Sequence, residues 1–439
     1  MIDFLRDRYN IAQDVLRAAE RAFNRVATIR YDAQRRVKYN VLSAFLEEGL
    51  SESDFAGSTG YGYDDAARGR YESLLARIFG AEAALARLSF VSGTHAIVAT
   101  LRACVSHGKT LLAISGAPYD TLRNAIIDAP HNLVAQGMRY GEVPLRSDGS
   151  IDDRAVVDAL HADVAAVFLQ RSRGYASRPS LCVDACAQAI RVVRSRLPEA
   201  LILVDNCYGE LVEEREPTHV GADAVIGSLI KNLGGAVAPG GAYVVGKQTI
   251  IDRVAAQTYA PGLGSALGPT FGFGRLFFQG LFQAALIVEQ TLRGLDFCAA
   301  LFDELGFSVQ PAAGERRTDI VQAIALQDEE LLCAFARGLQ RAMPVNARFA
   351  PVSGPVPGYG DAVIMSAGSF ISGSTSELSC DAPLREPYEI YVQGGVVLEH
   401  AIIGSMFAAD AVMQAVRASA GLPGQSQKAN GVRNFGRGE

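Results

Sequence analysis

Between residues 70 and 250 the chain repeats one pattern: a short apolar run, then a stretch with helical spacing. The runs are 86–91, 110–114, 164–169, 201–204, 224–226 and 241–245, and helices are expected at 71–79 and 94–105. Apolar runs this short and continuous, separated by helices, predict strands buried on both faces. The expected fold class is therefore α/β, a mainly parallel sheet with helices on both faces.

The rest of the chain divides around this unit. Residues 1–50 are rich in Ala, Arg, Glu and Leu and predict an N-terminal segment of one or two helices. The large domain is expected over 51–290, starting with a Gly- and Ser-rich loop at 57–65 and closing, after a Gly- and Phe-rich crossing at 258–280, with a helix at 281–294. A smaller α+β domain is expected over 291–420, with helices at 298–305, 329–342 and 398–416 and strands at 320–326, 362–365 and 390–392. The tail 421–439 is Gly/Gln/Ser/Asn-rich and reads as disordered.

Composition narrows the function. The net charge is −6, and there is no basic tract, so no nucleic-acid partner is expected. The seven cysteines are scattered without a CxxC and read as buried reduced thiols. The histidines form no HxxxH or HExxH, so no metal is expected. The charged N-terminus lacks a signal-like core, and no apolar stretch approaches membrane-spanning length, so a cytoplasmic soluble protein without a membrane partner is expected.

The chemistry-bearing residues fall where strands end. Asp205 closes the run 201–204, and Lys231 follows in Gly227-Ser228-Leu229-Ile230-Lys231-Asn232, within a stretch whose only charges are Asp223 and Lys231. Desolvation there would lower the lysine pKa and favour the neutral amine. A lysine that can form a Schiff base and a carboxylate that can hold a pyridine nitrogen protonated are two parts of a pyridoxal 5′-phosphate site. Val91-Ser92-Gly93-Thr94 opens a helix after a strand, which suits a phosphate; it equally suits a simple N-cap. The Ser228 hydroxyl would add a phosphate donor. Tyr119, after the strand at 110–114, would stack on a pyridine ring or sit in a turn. Two arginine clusters, Arg171-Ser172-Arg173 and Arg385, could each hold a substrate carboxylate. Ser228-xx-Lys231 also matches SxxK, but no SDN or KTG element, GxSxG elbow, Walker A loop or GxGxxG accompanies it.

Together the segments TGYGYDD at 59–65, SGTHA at 92–96, PYDT at 118–121, QRSRGY at 170–175, VDNCYGE at 204–210, HVGAD at 219–223, GSLIKN at 227–232 and RTD at 317–319 resemble one family. It is that of the methionine γ-lyase-like, or aluminium-resistance, proteins, in the fold-type I, cystathionine-lyase-like superfamily. The resemblance runs from about residue 40 to 415. It implies the fold-type I transferase fold, with a seven-stranded-type sheet and a smaller C-terminal domain. It implies pyridoxal 5′-phosphate on Lys231, Asp205 at the ring nitrogen and Tyr119 stacked on the ring. Ser92, Gly93, Thr94 and Ser228 would bind the phosphate, Arg173 would lie near the phenolic oxygen and Arg385 would take the substrate carboxylate. Tyr61 and Tyr63 would reach a neighbouring subunit's cofactor and substrate in a homotetramer built from dimers. The implied activity is β- or γ-elimination from a substituted L-amino acid, either a sulfur amino acid or a γ-halogenated one. The alternatives are γ-replacement, aminotransfer or a catalytically idle binding homologue. Two departures flank the site: the chain reads Lys231-Asn232-Leu233-Gly234-Gly235-Ala236 where relatives read KNPGGG, and Ser379-Cys380-Asp381-Ala382-Pro383-Leu384-Arg385-Glu386-Pro387-Tyr388 where they read SADGPIRPPY.

Overall fold

The computed structural model describes residues 2–421, so the expectation for the tail falls, beyond Gly421, outside the described residues. The large sheet has seven strands: β1 (Ala83–Arg87), β2 (Thr110–Ala113), β3 (Arg139–Glu142), β4 (Val164–Gln170), β5 (Leu201–Asp205), β6 (Ala224–Ser228) and β7 (Ala242–Gly246). Their spatial order is β1-β7-β6-β5-β4-β2-β3, with only β7 running antiparallel to its neighbours. Strands β2, β4, β5, β6 and β7 are almost wholly buried because an apolar cluster packs on each face. This is why they read as unbroken apolar runs rather than alternating ones.

Several elements differ from the sequence reading, and the strands Ser308–Gln310, Gly354–Pro355 and Ser379–Pro383 of the second sheet are among those not expected. Strand β3 was not expected: it is an edge strand, RYGE, with no fully buried residue, so it has no apolar run. The helices expected at 281–294 and 298–305 are one 31-residue helix, Gly274–Glu304. Gly294 invites a break there, but a Cβ at this position would stand 2.5 Å from the Ala401 Cβ, so the glycine serves a close helix crossing. Residue 290, where the division was placed, lies inside this helix. The N-terminal segment forms three helices, Ile2–Arg8, Gln13–Val26 and Asp32–Glu48.

The second sheet is antiparallel throughout, in the order β10-β11-β12-β13-β9-β8. Its strands are β8 (Ser308–Gln310), β9 (Val321–Ala325), β10 (Gly354–Pro355), β11 (Ala362–Ala367), β12 (Ser379–Pro383) and β13 (Glu389–Gln393). The helix Leu398–Ser419 packs against the helices Glu329–Gln340 and Gly274–Glu304. This helix corrects one expectation, being long and apolar enough to cross a bilayer by length and composition. Its apolar residues, including Ile402, Met406, Phe407 and Val412, are core side chains. Within it, buried Asp410 accepts the Ala12 amide at 2.9 Å.

Candidate active site

Six of the seven strands of the large sheet contribute to one cavity. In an α/β sheet the carboxyl ends of the parallel strands leave a crevice where chain direction reverses. Here β5 delivers Asp205 and β6 delivers Ser228 and then Lys231. Strand β4 leads to Ser172, Gly174 and Tyr175, β2 leads to Tyr119, and β1 leads to Ser92, Gly93 and Thr94. Antiparallel β7 begins at the same edge, so Gly240 and Gly241 complete that wall. The small domain closes the opposite side with Val321, Tyr359, Ser372, Tyr391 and Gln393. The enclosed space is about 370 Å³.

Ser92 caps the helix Gly93–Cys104, its hydroxyl accepting the His95 amide at 3.0 Å. The free amides at that helix start face the cavity together with the buried hydroxyl of Ser228. Gly93 leaves the approach open: a Cβ there would stand 3.3 Å from Cys207 Sγ and 3.5 Å from Ser228 Cβ. Thr94 Oγ1 shares a 2.8 Å hydrogen bond with the Tyr119 hydroxyl, which fixes that ring at the same end. The backbone amide of Tyr119 donates to Gln170 Oε1 at 2.9 Å. Burial holds the Tyr119 phenol well above its ordinary value, with the Asp205 charge adding to the effect.

Asp205 is 1% exposed. Burial raises its carboxyl above the usual carboxylate range, against the lowering influence of the Cys207 amide, which donates to Oδ1 at 3.0 Å, and of Lys231 and Arg178. A buried carboxylate held up in this way gains from a cationic donor at close range. Lys231 is half-buried at the cavity wall, its Nζ lying 3.6 Å from the centre of the Tyr208 ring. The amine does not behave as its apolar stretch suggested. Burial pulls its pKa down, but Tyr208, Cys207 and Glu210 outweigh burial and leave it raised. The sequence expectation of a lowered lysine is corrected accordingly: its neighbours in space are acidic groups that its neighbours in sequence do not reveal.

Four predicted residues stand elsewhere. Arg173 is buried behind the cavity wall, with Nη2 donating to Gln310 Oε1 at 3.1 Å and Nε and Nη1 without partners, and it does not line the cavity. Arg385 lines a separate outer cavity and is held by Asp361 at 3.1 Å, the Tyr175 carbonyl at 2.9 Å and Asp120 at 3.5 Å. Neither Arg173 nor Arg385 is among the residues that line the cavity holding Lys231. Arg171, the other residue of its cluster, is fully buried and bonded to Glu213, Asn206 and backbone carbonyls, a structural role. Tyr61 and Tyr63 are 74% and 57% exposed and are absent from this chain's own cavity. Tyr175, Cys207, Tyr208, Tyr359, Tyr391 and Gln393 line the cavity without having been singled out. Cys207 and Tyr208 carried a signal as neighbours of Asp205, and Tyr175 as the end of the QRSRGY segment.

Comparison with known proteins gives the family and the fold. The family model for methionine gamma-lyase matches residues 11–413. The uncharacterized protein YnbB of Bacillus subtilis (strain 168) is 41% identical over 387 residues, 87% of this chain and 92% of its own length. A carbon-sulfur lyase involved in aluminum resistance from Clostridium novyi NT superimposes with a TM-score of 0.87 at 37% identity, over 93% of this chain and 98% of its own. At 18% identity the pyridoxal-5′-phosphate dependent protein YhfS from Escherichia coli shares the fold, with a TM-score of 0.55 over 87% of this chain and 96% of its own. The architecture is the fold-type I arrangement expected, and the chain belongs to the methionine gamma-lyase family.

Proposed function

We propose that this protein is a pyridoxal 5′-phosphate-dependent carbon–heteroatom lyase that eliminates a β- or γ-substituent from an L-amino acid, either a sulfur amino acid or a γ-halogenated one. The observation that carries the reading is the convergence of Lys231, Asp205 and the amide end of the helix Gly93–Cys104 on one cavity of about 370 Å³. The donor set fits the cofactor: an anion seat of amides and hydroxyls at one end, and a raised, buried carboxylate without a cation in contact beyond it.

Bound there, pyridoxal phosphate supplies an aldehyde that takes the substrate amino group and a ring that accepts the electrons of the breaking Cα–H bond. The amides of Gly93 and Thr94 and the hydroxyls of Ser92, Thr94 and Ser228 would hold the phosphate. Asp205 would keep the ring nitrogen protonated, and the Tyr119 ring would pack on the cofactor ring. Lys231 Nζ removes the α-proton and holds it; for γ-elimination the same amine, or a nearby tyrosine, also moves a β-proton. The Tyr119 phenol, kept protonated by burial, is the proton donor to the leaving group. Arg385 reaches the substrate carboxylate only by leaving Asp361, so a reorganisation of that ion pair belongs to the reading.

The assembly we propose is a homotetramer built from dimers, located in the cytoplasm, in which Tyr61 and Tyr63 complete a neighbour's site. Their exposure on a pinned loop supports this: Asp65 accepts from Ser58 N and Oγ, Thr270 N and Oγ1, and Arg68 N, at 2.6–2.9 Å. The test is product analysis with a panel of β- and γ-substituted amino acids. Keto acid plus ammonia is expected. A new amino acid, or amino-group transfer to an added keto acid, would replace the elimination reading.

A further inference from the structure

Tyr208 is a non-glycine residue at φ +72, a left-handed conformation costly for any residue with a Cβ. Two hydrogen bonds to its carbonyl hold it there, from Asn232 Nδ2 at 3.1 Å and from the Ile320 amide at 3.1 Å. The first comes from the residue after the lysine and the second from the chain leading into β9, so both sides of the cavity fix this turn. The result is a ring set beneath Lys231 Nζ, 3.6 Å from its centre. Among the described residues no carboxylate lies within ion-pair distance of Nζ. The Tyr208 hydroxyl also acts on the amine, by its charge and by hydrogen bonding, ahead of Cys207 and Glu210, while Asp205, Asp381 and Tyr359 in turn feel the amine's charge. One side chain, Tyr208, thus meets the ammonium with its ring face at 3.6 Å and with its hydroxyl.

We infer that Tyr208 is a positioning residue whose ring face seats the Lys231 ammonium, holding the amine while it carries a proton between two substrate carbons. The inference rests on the proposed lyase reading. In each transfer the Nζ lone pair takes H⁺ while the C–H electron pair stays with carbon; delivering the proton to a second carbon restores the neutral amine. A cation over an aromatic face in a desolvated site is stabilised appreciably, so the seat favours the charged form.

The test replaces Tyr208 with phenylalanine and with 3,4,5-trifluorophenylalanine, close in shape but differing in ring charge. The chain has only five lysines, so a ¹³Cε-lysine label in the cofactor-free full-length protein gives a resolvable set, and Lys231→Ala assigns the resonance. With phenylalanine, which loses the hydroxyl and keeps the ring face, the Lys231 titration should fall less than with a ring of weakened face. With the trifluoro ring it should fall by roughly half a unit to one and a half units. In the loaded enzyme kcat should fall about threefold to thirtyfold with KM unchanged. Identical titrations for the two rings would overturn the inference. So would a fall already complete in Tyr208→Phe, which would assign the effect to the hydroxyl. The titration is read without turnover, so an absence of lyase activity would count against the functional reading and leave this one standing.

Discussion

Glu210 and Lys231 are both ionisable residues held inside the protein, and their surroundings treat them differently. Glu210 is 0% exposed; Oε1 accepts the Tyr243 hydroxyl at 3.0 Å, and Oε2 is buried without a partner. Burial raises its carboxyl to about 8, with nearby Glu216 adding to the rise and Tyr243 and Lys231 opposing it. Gly227 makes room, since a Cβ there would stand 2.5 Å from both Glu210 Oε1 and the Tyr243 hydroxyl. An unfolded glutamate titrates near about 4.3. Below that pH the acid is neutral in both states and costs nothing. Between there and about 8 the unfolded chain releases a proton that the folded chain retains, so this group's contribution declines as pH rises. Glu210→Gln should remove that decline. Thermal unfolding of both proteins from pH 5 to 9 should show the variant gaining on the order of a few kcal/mol relative to the parent by pH 8. A constant difference across the range would contradict a neutral buried Glu210.

At the scale of elements, the loop after Lys231 carries a measurable cost. Ala236 sits at φ +61, immediately after Gly235 at φ +51. Ala236→Gly should stabilise the protein by about 1 kcal/mol, read as a higher denaturation midpoint with an unchanged slope. No gain would mean that the alanine methyl is repaid by packing. The same loop shows what sequence can reveal. Asp205 and Lys231 were legible because charged residues rarely end or interrupt buried apolar strands, and the βα alternation put both at one sheet edge. Strand β3 was not legible, because an exposed edge carries no apolar pattern. The full length of Gly274–Glu304 was hidden because Gly294 looks like a break until the helix crossing it is known. The positions of Arg173 and Arg385 depend on partners at Gln310 and Asp361, distant in sequence, and no local pattern reports them. Tyr359, Tyr391 and Gln393 reach the cavity only because the small domain folds over it.

For the whole molecule, the proposed sharing of sites turns on the loop bearing Tyr61 and Tyr63. Burial pushes the Asp65 carboxyl up, but hydrogen bonds from Ser58, Arg68 and Thr270 outweigh it and hold the group at about 2. That stabilisation is complete above the unfolded value near about 3.9 and is lost as pH falls through about 2. Asp65→Ala should cost about 1–3 kcal/mol in chemical denaturation, since it leaves the hydroxyls and amides of this turn unpaired. Shared sites also predict complementation: two inactive proteins, Lys231→Ala and the double variant Tyr61→Ala/Tyr63→Ala, should regain activity when refolded together. A mixture as inactive as its components would place each site within one chain.

The central claim is that Lys231 binds pyridoxal phosphate in the cavity below the helix Gly93–Cys104. The most direct measurement is the absorbance spectrum of the purified protein beside that of Lys231→Ala, each after dialysis against the cofactor. The account predicts a band near the visible edge for the parent, shifted by borohydride reduction and fixed to the chain at Lys231, and no such fixed band for the variant. A parent protein that stays colourless with added cofactor, or a variant that keeps the same borohydride-fixed band, would contradict it.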